Sequence, residues 1–165
     1  MCGKVQLMAV KPIPDGYHNV TPYLIVNAGQ RALEYYKQAF GASELFRMDA
    51  PGGTIGHAEI QIGDSRVMLS DENPAWGAKA PTPGVSPPVQ LMIYVEDVDA
   101  TFKRALAAGA KETQPIKNQF YGDRSGTLTD PFGHVWTIAT HIEDVPADEM
   151  QRRAAEYMKQ QPQSV

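Results

Sequence analysis

The chain carries one pattern of strand, helix, closing glycine and further strands twice, and this repeat constrains the fold more than any other feature. Gly41 and Gly109 each close a helical segment at equivalent points of the two copies. Self-similarity at a fixed spacing is typical of chains built from copies of one supersecondary unit. We therefore predict an α+β fold of two tandem βαβββ modules, with two unrelated pieces of coincidental period as the alternative. One constant offset aligns Leu24-Ile25-Val26 with Ile93-Tyr94-Val95, and Val67-Met68-Leu69 with Trp136-Thr137-Ile138.

Apolar periodicity and turn residues indicate where the elements of each module lie. Asp97 is a candidate cap for the second helix, and Gly63-Asp64 forms a tight turn between two strands. We predict one domain over residues 1–165, with modules at about 17–73 and 89–145, a proline-rich linker at 73–88 and a C-terminal helix at about 146–160. The predicted strands are 21–26, 43–49, 56–62 and 66–70 around a helix at 30–40, then 90–95, 111–115, 124–129 and 134–141 around a helix with Phe102, Ala105 and Leu106 on its apolar side.

The composition argues against several classes of function. A net charge of -4 is unfavourable for nucleic-acid binding, which needs a basic face. Cys2 is the only cysteine, so no disulfide can form within the chain. The N-terminal segment is a poor secretory signal, and no apolar run reaches the roughly 18 residues that cross a bilayer. We therefore expect a cytoplasmic protein that binds neither nucleic acid nor membrane.

The repeat, the proline-rich link and the turn Asp130-Pro131-Phe132-Gly133-His134 together resemble the vicinal oxygen chelate superfamily of glyoxalase, bleomycin-resistance and dioxygenase proteins. Within that superfamily the chain is similar to the PhnB-like branch over roughly residues 17–145. The resemblance implies two curved, mostly antiparallel sheets around a cavity, with the helices on the outer faces. The stretches that carry the narrower similarity are 21–26, 35–41, 56–72, 120–124 and 130–141.

The same resemblance identifies four positions where metal-using members of the superfamily hold a divalent ion. In this sequence the four positions are occupied by Thr21, Met68, Gln90 and Thr137. The usual ligands are His, Gln and Glu, so only Gln90 is a ligand of the family type. A catalytic ion needs about three good nitrogen or oxygen donors. We therefore expect no metal site of the usual kind and no cofactor.

Strand alternation converts this register into a prediction of which side chains line the cavity. If Thr21 faces the cavity, Tyr23 and Ile25 face it too; Met68 brings Arg66 inward, and Gln90 brings Met92 and Tyr94. The strand at 56–62 has Ala58, Ile60 and Ile62 on its core face, which leaves His57, Glu59 and Gln61 for the cavity. The alternative is an open sheet face whose polar residues only meet water.

Two groups of candidate site residues follow. His57 and Glu59 are candidate catalytic residues, because a carboxylate beside an imidazole can move a proton near neutral pH. Tyr121 and Arg124 precede a strand edge, where a guanidinium can bind a carboxylate or phosphonate; an Asp123–Arg124 surface pair is the alternative. The candidate ligand-binding residues are Tyr23, Arg66, Met92, Tyr94, Tyr121 and Arg124.

The favoured interpretation is a metal-independent small-molecule binding protein that forms a homodimer and sequesters a drug or metabolite. A lyase or isomerase that uses His57 and Glu59, with or without a divalent metal at a different site, is the alternative. A third interpretation is an interaction module that uses the C-terminal helix. The sequence names neither the ligand nor the reaction.

Overall fold

The computed structural model describes residues 10–160. Cys2 and the N-terminal segment on which the secretory-signal argument rests lie outside this range. The first module contains four strands and one helix, as predicted. Its elements are β1 (Tyr23–Val26), α1 (Gly29–Phe40), β2 (Ser43–Ala50), β3 (Thr54–Ile62) and β4 (Ser65–Asp71).

The second module repeats this order after a linker that contains one short 3₁₀ turn, Pro74–Trp76. Strand β6 runs past the predicted end at Pro115, because it is an edge strand with an irregular register, where a missing amide hydrogen is tolerated. The elements are β5 (Leu91–Tyr94), α2 (Val98–Ala107), β6 (Lys111–Asn118), β7 (Asp123–Thr129), β8 (Val135–His141) and the C-terminal α3 (Ala147–Gln160).

Each module forms a four-stranded mixed sheet with the same topology. The strand orders are β1-β4-β3-β2 and β5-β8-β7-β6, and the first two strands of each order run parallel while the others are antiparallel. Tyr23 pairs with Met68 in the first sheet, and Met92 pairs with Thr137 in the second. The offset that aligns the two halves of the sequence also takes the first pair onto the second, which confirms the α+β fold of two βαβββ modules.

The two module helices begin at equivalent side-chain caps. The carboxylate of Asp71, at the end of β4, accepts hydrogen bonds from the amides of Gly29 (2.8 Å) and Ile55 (2.7 Å). The hydroxyl of Thr140, near the end of β8, accepts from the amide of Val98 at 2.9 Å. A side chain from the fourth strand therefore satisfies the free amide at the start of each helix.

The hydrophobic core lies between the sheets and the two module helices, which also pack on each other. Tyr36 of α1 reaches into the second module, where its ring lies 5.7 Å from that of Trp136. Both side chains donate to the buried carboxylate of Asp130, Tyr36 at 2.8 Å and Trp136 at 2.9 Å. The predicted turn that begins at Asp130 thus connects the modules as well as two strands.

The C-terminal helix α3 packs on the outside of the second module. None of its residues is buried. Arg153 anchors it through an ion pair with Glu143 (2.7 Å) and a hydrogen bond to the carbonyl of Phe120 (3.2 Å). None of the helices described in residues 10–160 has the length and apolar character to cross a membrane.

Candidate functional site

The candidate site begins on the open face of the first sheet, which is the face turned away from α1. Along β3, Ala58 and Ile60 are fully buried against the helix, while His57 and Glu59 alternate with them and keep 20% of their side-chain area exposed. On β1, which β4 separates from β3, Leu24 is buried and Tyr23 is exposed. The strand period therefore brings polar side chains from different strands of the sheet onto one surface.

These three side chains form a connected cluster with a fourth, Tyr17, from outside the sheet. The Tyr23 hydroxyl lies 2.9 Å from His57 Nδ1, and His57 Nε2 lies 3.4 Å from Glu59 Oε1. The second carboxylate oxygen of Glu59 accepts a hydrogen bond from the hydroxyl of Tyr17. Tyr17 belongs to the segment that precedes β1, so the cluster joins the sheet to the N-terminal arm (residues 10–22).

Arg66, on β4, borders the same cluster. Its Cζ lies 4.3 Å from the centroid of the Tyr17 ring, a cation–π contact, and its Nη1 lies 3.7 Å from Glu59 Oε2. Its Nε is buried and has no hydrogen-bond partner within residues 10–160. Within that range this N–H is therefore an unused donor that lies beneath Gly16 of the arm.

The hydrogen bond between Tyr17 and Glu59 shifts the pKa values of both residues. It lowers the pKa of Glu59 below its usual value, with smaller contributions from His57 and Arg66. Partial burial raises the pKa of Tyr17, and the Glu59 contact raises it further. At neutral pH Glu59 is thus an ionised acceptor and Tyr17 a neutral donor.

A cavity of about 730 Å³ lies between the two modules and shares Arg66 with the cluster. Its volume falls within the range of small-molecule sites. Met92 and Tyr94 of β5 line its opposite wall, so three of the predicted ligand-binding residues surround one space. Its other lining residues include His18, Thr21, Ile62, Leu91, Ile93, Val95, Thr101, Arg104 and Trp136.

The second sheet carries a separate polar group on its own open face. The Tyr94 hydroxyl donates to the buried carboxylate of Asp123 at 2.8 Å. His141 lies between two carboxylates, with Nδ1 2.8 Å from Asp123 and Nε2 3.0 Å from Asp144. Since carboxylates only accept, both ring nitrogens donate, and these bonds raise the pKa of His141.

The structure does not bring Tyr121 and Arg124 into the first cluster. Tyr121 lines a shallow depression of about 350 Å³ beside His141. Arg124 lies on the helix side of β7 and forms a two-pronged ion pair with Asp99 of α2, at 2.7 and 2.8 Å. The alternative Asp123–Arg124 pair is also not formed, because alternation places the two side chains on opposite faces of the strand.

The residues at the four family metal positions do not fit a divalent ion. Thr21 lines the cavity between the modules, whereas Gln90 lines a different depression beside the linker. The hydroxyl of Thr137 is hydrogen-bonded to that of Thr127 at 3.1 Å. Two hydroxyls and a thioether beside a single amide are a poor ligand set for such ions. Nor do His, Cys, Asp or Glu side chains of the described chain form a group of three suited to a metal.

Sequence reasoning missed Tyr17 in the first cluster, and Asp123, His141 and Asp144 in the second. Tyr17 lies in the arm, and its contact with Glu59 spans 42 residues, so no local pattern predicts it. Asp123 entered the prediction only as a partner of Arg124. The alternation of β7 could have corrected this prediction. Leu128 is fully buried, and Arg124 lies four residues before it and so on the same, helix-facing side of the strand, which leaves Asp123 on the open face.

Three comparisons relate this architecture to known proteins. The family model of the glyoxalase/bleomycin resistance protein/dioxygenase superfamily matches residues 16–138. An uncharacterised protein of Mycobacterium tuberculosis is 40% identical over 135 residues, which cover 80% of this chain and 79% of that protein. The crystal structure of TioX from Micromonospora sp. ML1 is similar with a TM-score of 0.60 and 29% identity, over 76% of this chain and 99% of TioX. A PhnB protein from Bacillus cereus shares the fold, with a TM-score of 0.57 and 20% identity over 74% of this chain and 99% of that chain.

Proposed function

Because the chain belongs to the glyoxalase/bleomycin resistance protein/dioxygenase superfamily, we propose that it binds a small organic molecule without a metal ion. The site is the Glu59 cluster together with the cavity between the modules. Drug or metabolite sequestration is the role that this proposal implies.

The observation that carries the proposal is a charged, oriented cluster beside an apolar wall. Glu59 and Arg66 lie side by side, while Met92 and Tyr94 supply the opposite wall of a cavity of about 730 Å³. Small-molecule sites combine such walls with a few polar groups that fix the orientation of the ligand. A molecule with an apolar body and a polar edge fits this arrangement.

Binding is favoured over catalysis by the electrostatics of Glu59. An effective general base has a pKa near the working pH. The hydrogen bond from Tyr17 instead lowers the pKa of Glu59, which weakens the carboxylate as a base and suits it to accept a hydrogen bond. The donor set at the family metal positions supports the same view.

Proton-transfer catalysis is the second candidate, because Tyr23, His57 and Glu59 form a continuous chain of contacts. A lyase or isomerase would use such a series of contacts to move a proton. A thermal-shift titration with Ni²⁺, Zn²⁺ and Mn²⁺ tests whether a metal takes part. Stabilisation by one of these ions that disappears in Glu59→Ala would favour the enzyme.

Native mass spectrometry of the freshly purified protein tests the main proposal, since it reports a retained ligand directly. Aromatic and anionic compounds would then be screened by thermal shift. We expect hits to stabilise the wild type and Arg124→Ala alike, because Arg124 lies on the helix side. Glu59→Ala and Arg66→Ala should lose the stabilisation. Hits that stabilise all four proteins equally would place the ligand elsewhere and contradict the proposal.

The branch, the oligomeric state and the compartment are parts of the same proposal. Assignment to the PhnB-like branch rests on the sequence stretches at 21–26, 35–41, 56–72, 120–124 and 130–141, while the likeness to the Bacillus cereus protein supports only the shared fold. A homodimer is supported by the apolar side chains that one chain leaves exposed on its open faces. A cytoplasmic location is supported by the composition.

A further inference from the structure

The N-terminal arm lines part of the cavity with His18 and Thr21, and a turn at residues 14–17 brings Tyr17 to the Glu59 cluster. The amide of Tyr17 donates to the carbonyl of Pro14 at 3.2 Å, and Gly16 has a φ of 82°. This positive φ favours glycine, and a Cβ at Gly16 would lie 2.6 Å from Arg66 Nη2, so a larger residue would also displace the guanidinium. The turn therefore places the Tyr17 ring on the Glu59 cluster.

The two contacts of Tyr17 with the site are made by its phenol alone. The hydroxyl donates to Glu59, and the guanidinium of Arg66 lies 4.3 Å from the ring centroid. Neither contact uses the backbone of the arm. A free aromatic molecule with a hydroxyl group would make the same two interactions.

We propose that this position is an aromatic subsite that takes a planar hydroxylated aromatic ligand, and that Tyr17 fills it until such a ligand displaces the arm. This inference rests on the proposed function and names its class of ligand. The arm acts as a built-in competitor, since the site is available only in the fraction of molecules whose Tyr17 has moved away.

The surroundings of the subsite favour a ligand larger than one phenol. Arg66 also borders the cavity between the modules, so a fused ring system that stacks on it extends toward Met92 and Tyr94. The buried Nε of Arg66 has no partner within residues 10–160. A second oxygen on the ligand would accept a hydrogen bond from it.

Fluorescence titration with 2-naphthol tests the proposal, with 2-methoxynaphthalene as the probe that cannot donate. We expect Tyr17→Ala to bind 2-naphthol about five- to tenfold more tightly than the wild type, because the competing hydrogen bond is gone. Tyr17→Phe should show a smaller gain, since its ring still stacks on Arg66. Lys11→Ala is the matched control, because Lys11 forms an exposed ion pair with Asp15 of the arm and should leave the affinity unchanged.

Glu59→Gln in the Tyr17→Ala background separates this inference from the proposed function. We expect it to remove the preference for 2-naphthol over 2-methoxynaphthalene. Equal affinity of the wild type, Tyr17→Ala and Tyr17→Phe would overturn the arm as a competitor, even if binding still depended on Glu59. Failure of every variant to bind 2-naphthol would overturn the ligand class, while a retained ligand that depends on Glu59 would still support the proposed function.

Discussion

The hydroxyl of Tyr36 donates a 2.8 Å hydrogen bond to the carboxylate of Asp130, across a sequence separation of 94 residues. Tyr36 is wholly buried in α1, and Asp130 opens the last turn of the second module. The same carboxylate accepts from the indole of Trp136 and from the amides of Phe132 and His134. One buried charge therefore holds the turn and joins the two modules.

Removal of this hydroxyl should destabilise the whole domain. We expect Tyr36→Phe to lower the free energy of unfolding by about 1.5–3 kcal/mol, because a hydrogen bond to a buried carboxylate is lost. Tyr35→Phe is the matched control, since the buried hydroxyl of Tyr35 has no partner within residues 10–160. Urea denaturation would measure the free energy of unfolding of both variants. The comparison requires that its slope against urea concentration be the same as in the wild type. Equal losses in the two variants would contradict the role of Asp130.

Gly29→Ala should be destabilising although alanine is the better helix former. A Cβ at Gly29 would lie 2.6 Å from Asp71 Oδ2 and 2.7 Å from the side chain of Ile55. Such overpacking costs about 1–3 kcal/mol, more than the roughly 1 kcal/mol that helix propensity contributes.

Chemical denaturation of Gly29→Ala beside Gln38→Ala, at an exposed position of the same helix, makes the comparison. We expect Gln38→Ala to be nearly neutral. A gain in stability for Gly29→Ala would show that the cap and Ile55 move aside at little cost.

The fold was predictable because apolar periodicity and turn chemistry are local. The constant offset between the modules also relates Gly29 to Val98 and Asp71 to Thr140, the two helix caps. These two long-range caps could not be predicted from side-chain identity, since a carboxylate and a hydroxyl perform the same task. The two modules share the position of the capping residue, near the end of the fourth strand. The local cap of α2, Asp97, was predicted correctly and accepts from the amide of Ala100 at 2.9 Å.

The site was predictable only where it follows strand alternation. His57, Glu59 and Arg66 lie on the open face as expected, because a buried apolar set fixes the parity of each strand. Tyr17 could not be predicted, since a turn in the arm and a long-range contact place it. The prediction for Arg124 did not consider which residues of β7 face the helix. Arg124 is one of them, and its guanidinium forms an ion pair with Asp99 of α2 at 2.7 Å.

His141 should make stability depend on pH near neutrality. Its pKa is raised from 6.5 by Asp123 and then by Asp144, so the folded state favours the charged ring. The resulting stability is fully present below the unfolded pKa and is lost as the pH rises through the folded pKa. His141→Gln should therefore lower the melting temperature most at mildly acidic pH, with a difference that shrinks as the pH rises.

Thermal melts across this pH range would measure the difference, and Asp144→Asn is the companion variant. Asp144 is fully exposed, so water screens its contribution and its effect should be smaller. A melting-temperature difference between the wild type and His141→Gln that stays constant with pH would contradict this account.

The last prediction concerns the apolar side chains on the open faces. Phe46 and Met48 of β2 expose 48% and 53% of their surface, and Met92 and Tyr94 of the second sheet are also exposed. Monomers rarely leave contiguous apolar patches uncovered, and a two-fold dimer would bury the same patch on both copies. Native mass spectrometry should therefore give twice the mass of the chain.

Two variants test which face forms the interface. Met48→Lys should shift the mass toward one chain, because a charge would be buried in the interface. Arg47→Ala should leave the mass unchanged, since Arg47 pairs with Ala58 on the helix side. A wild-type protein with the mass of one chain, or a Met48→Lys variant that stays dimeric, would show that these faces are not the interface.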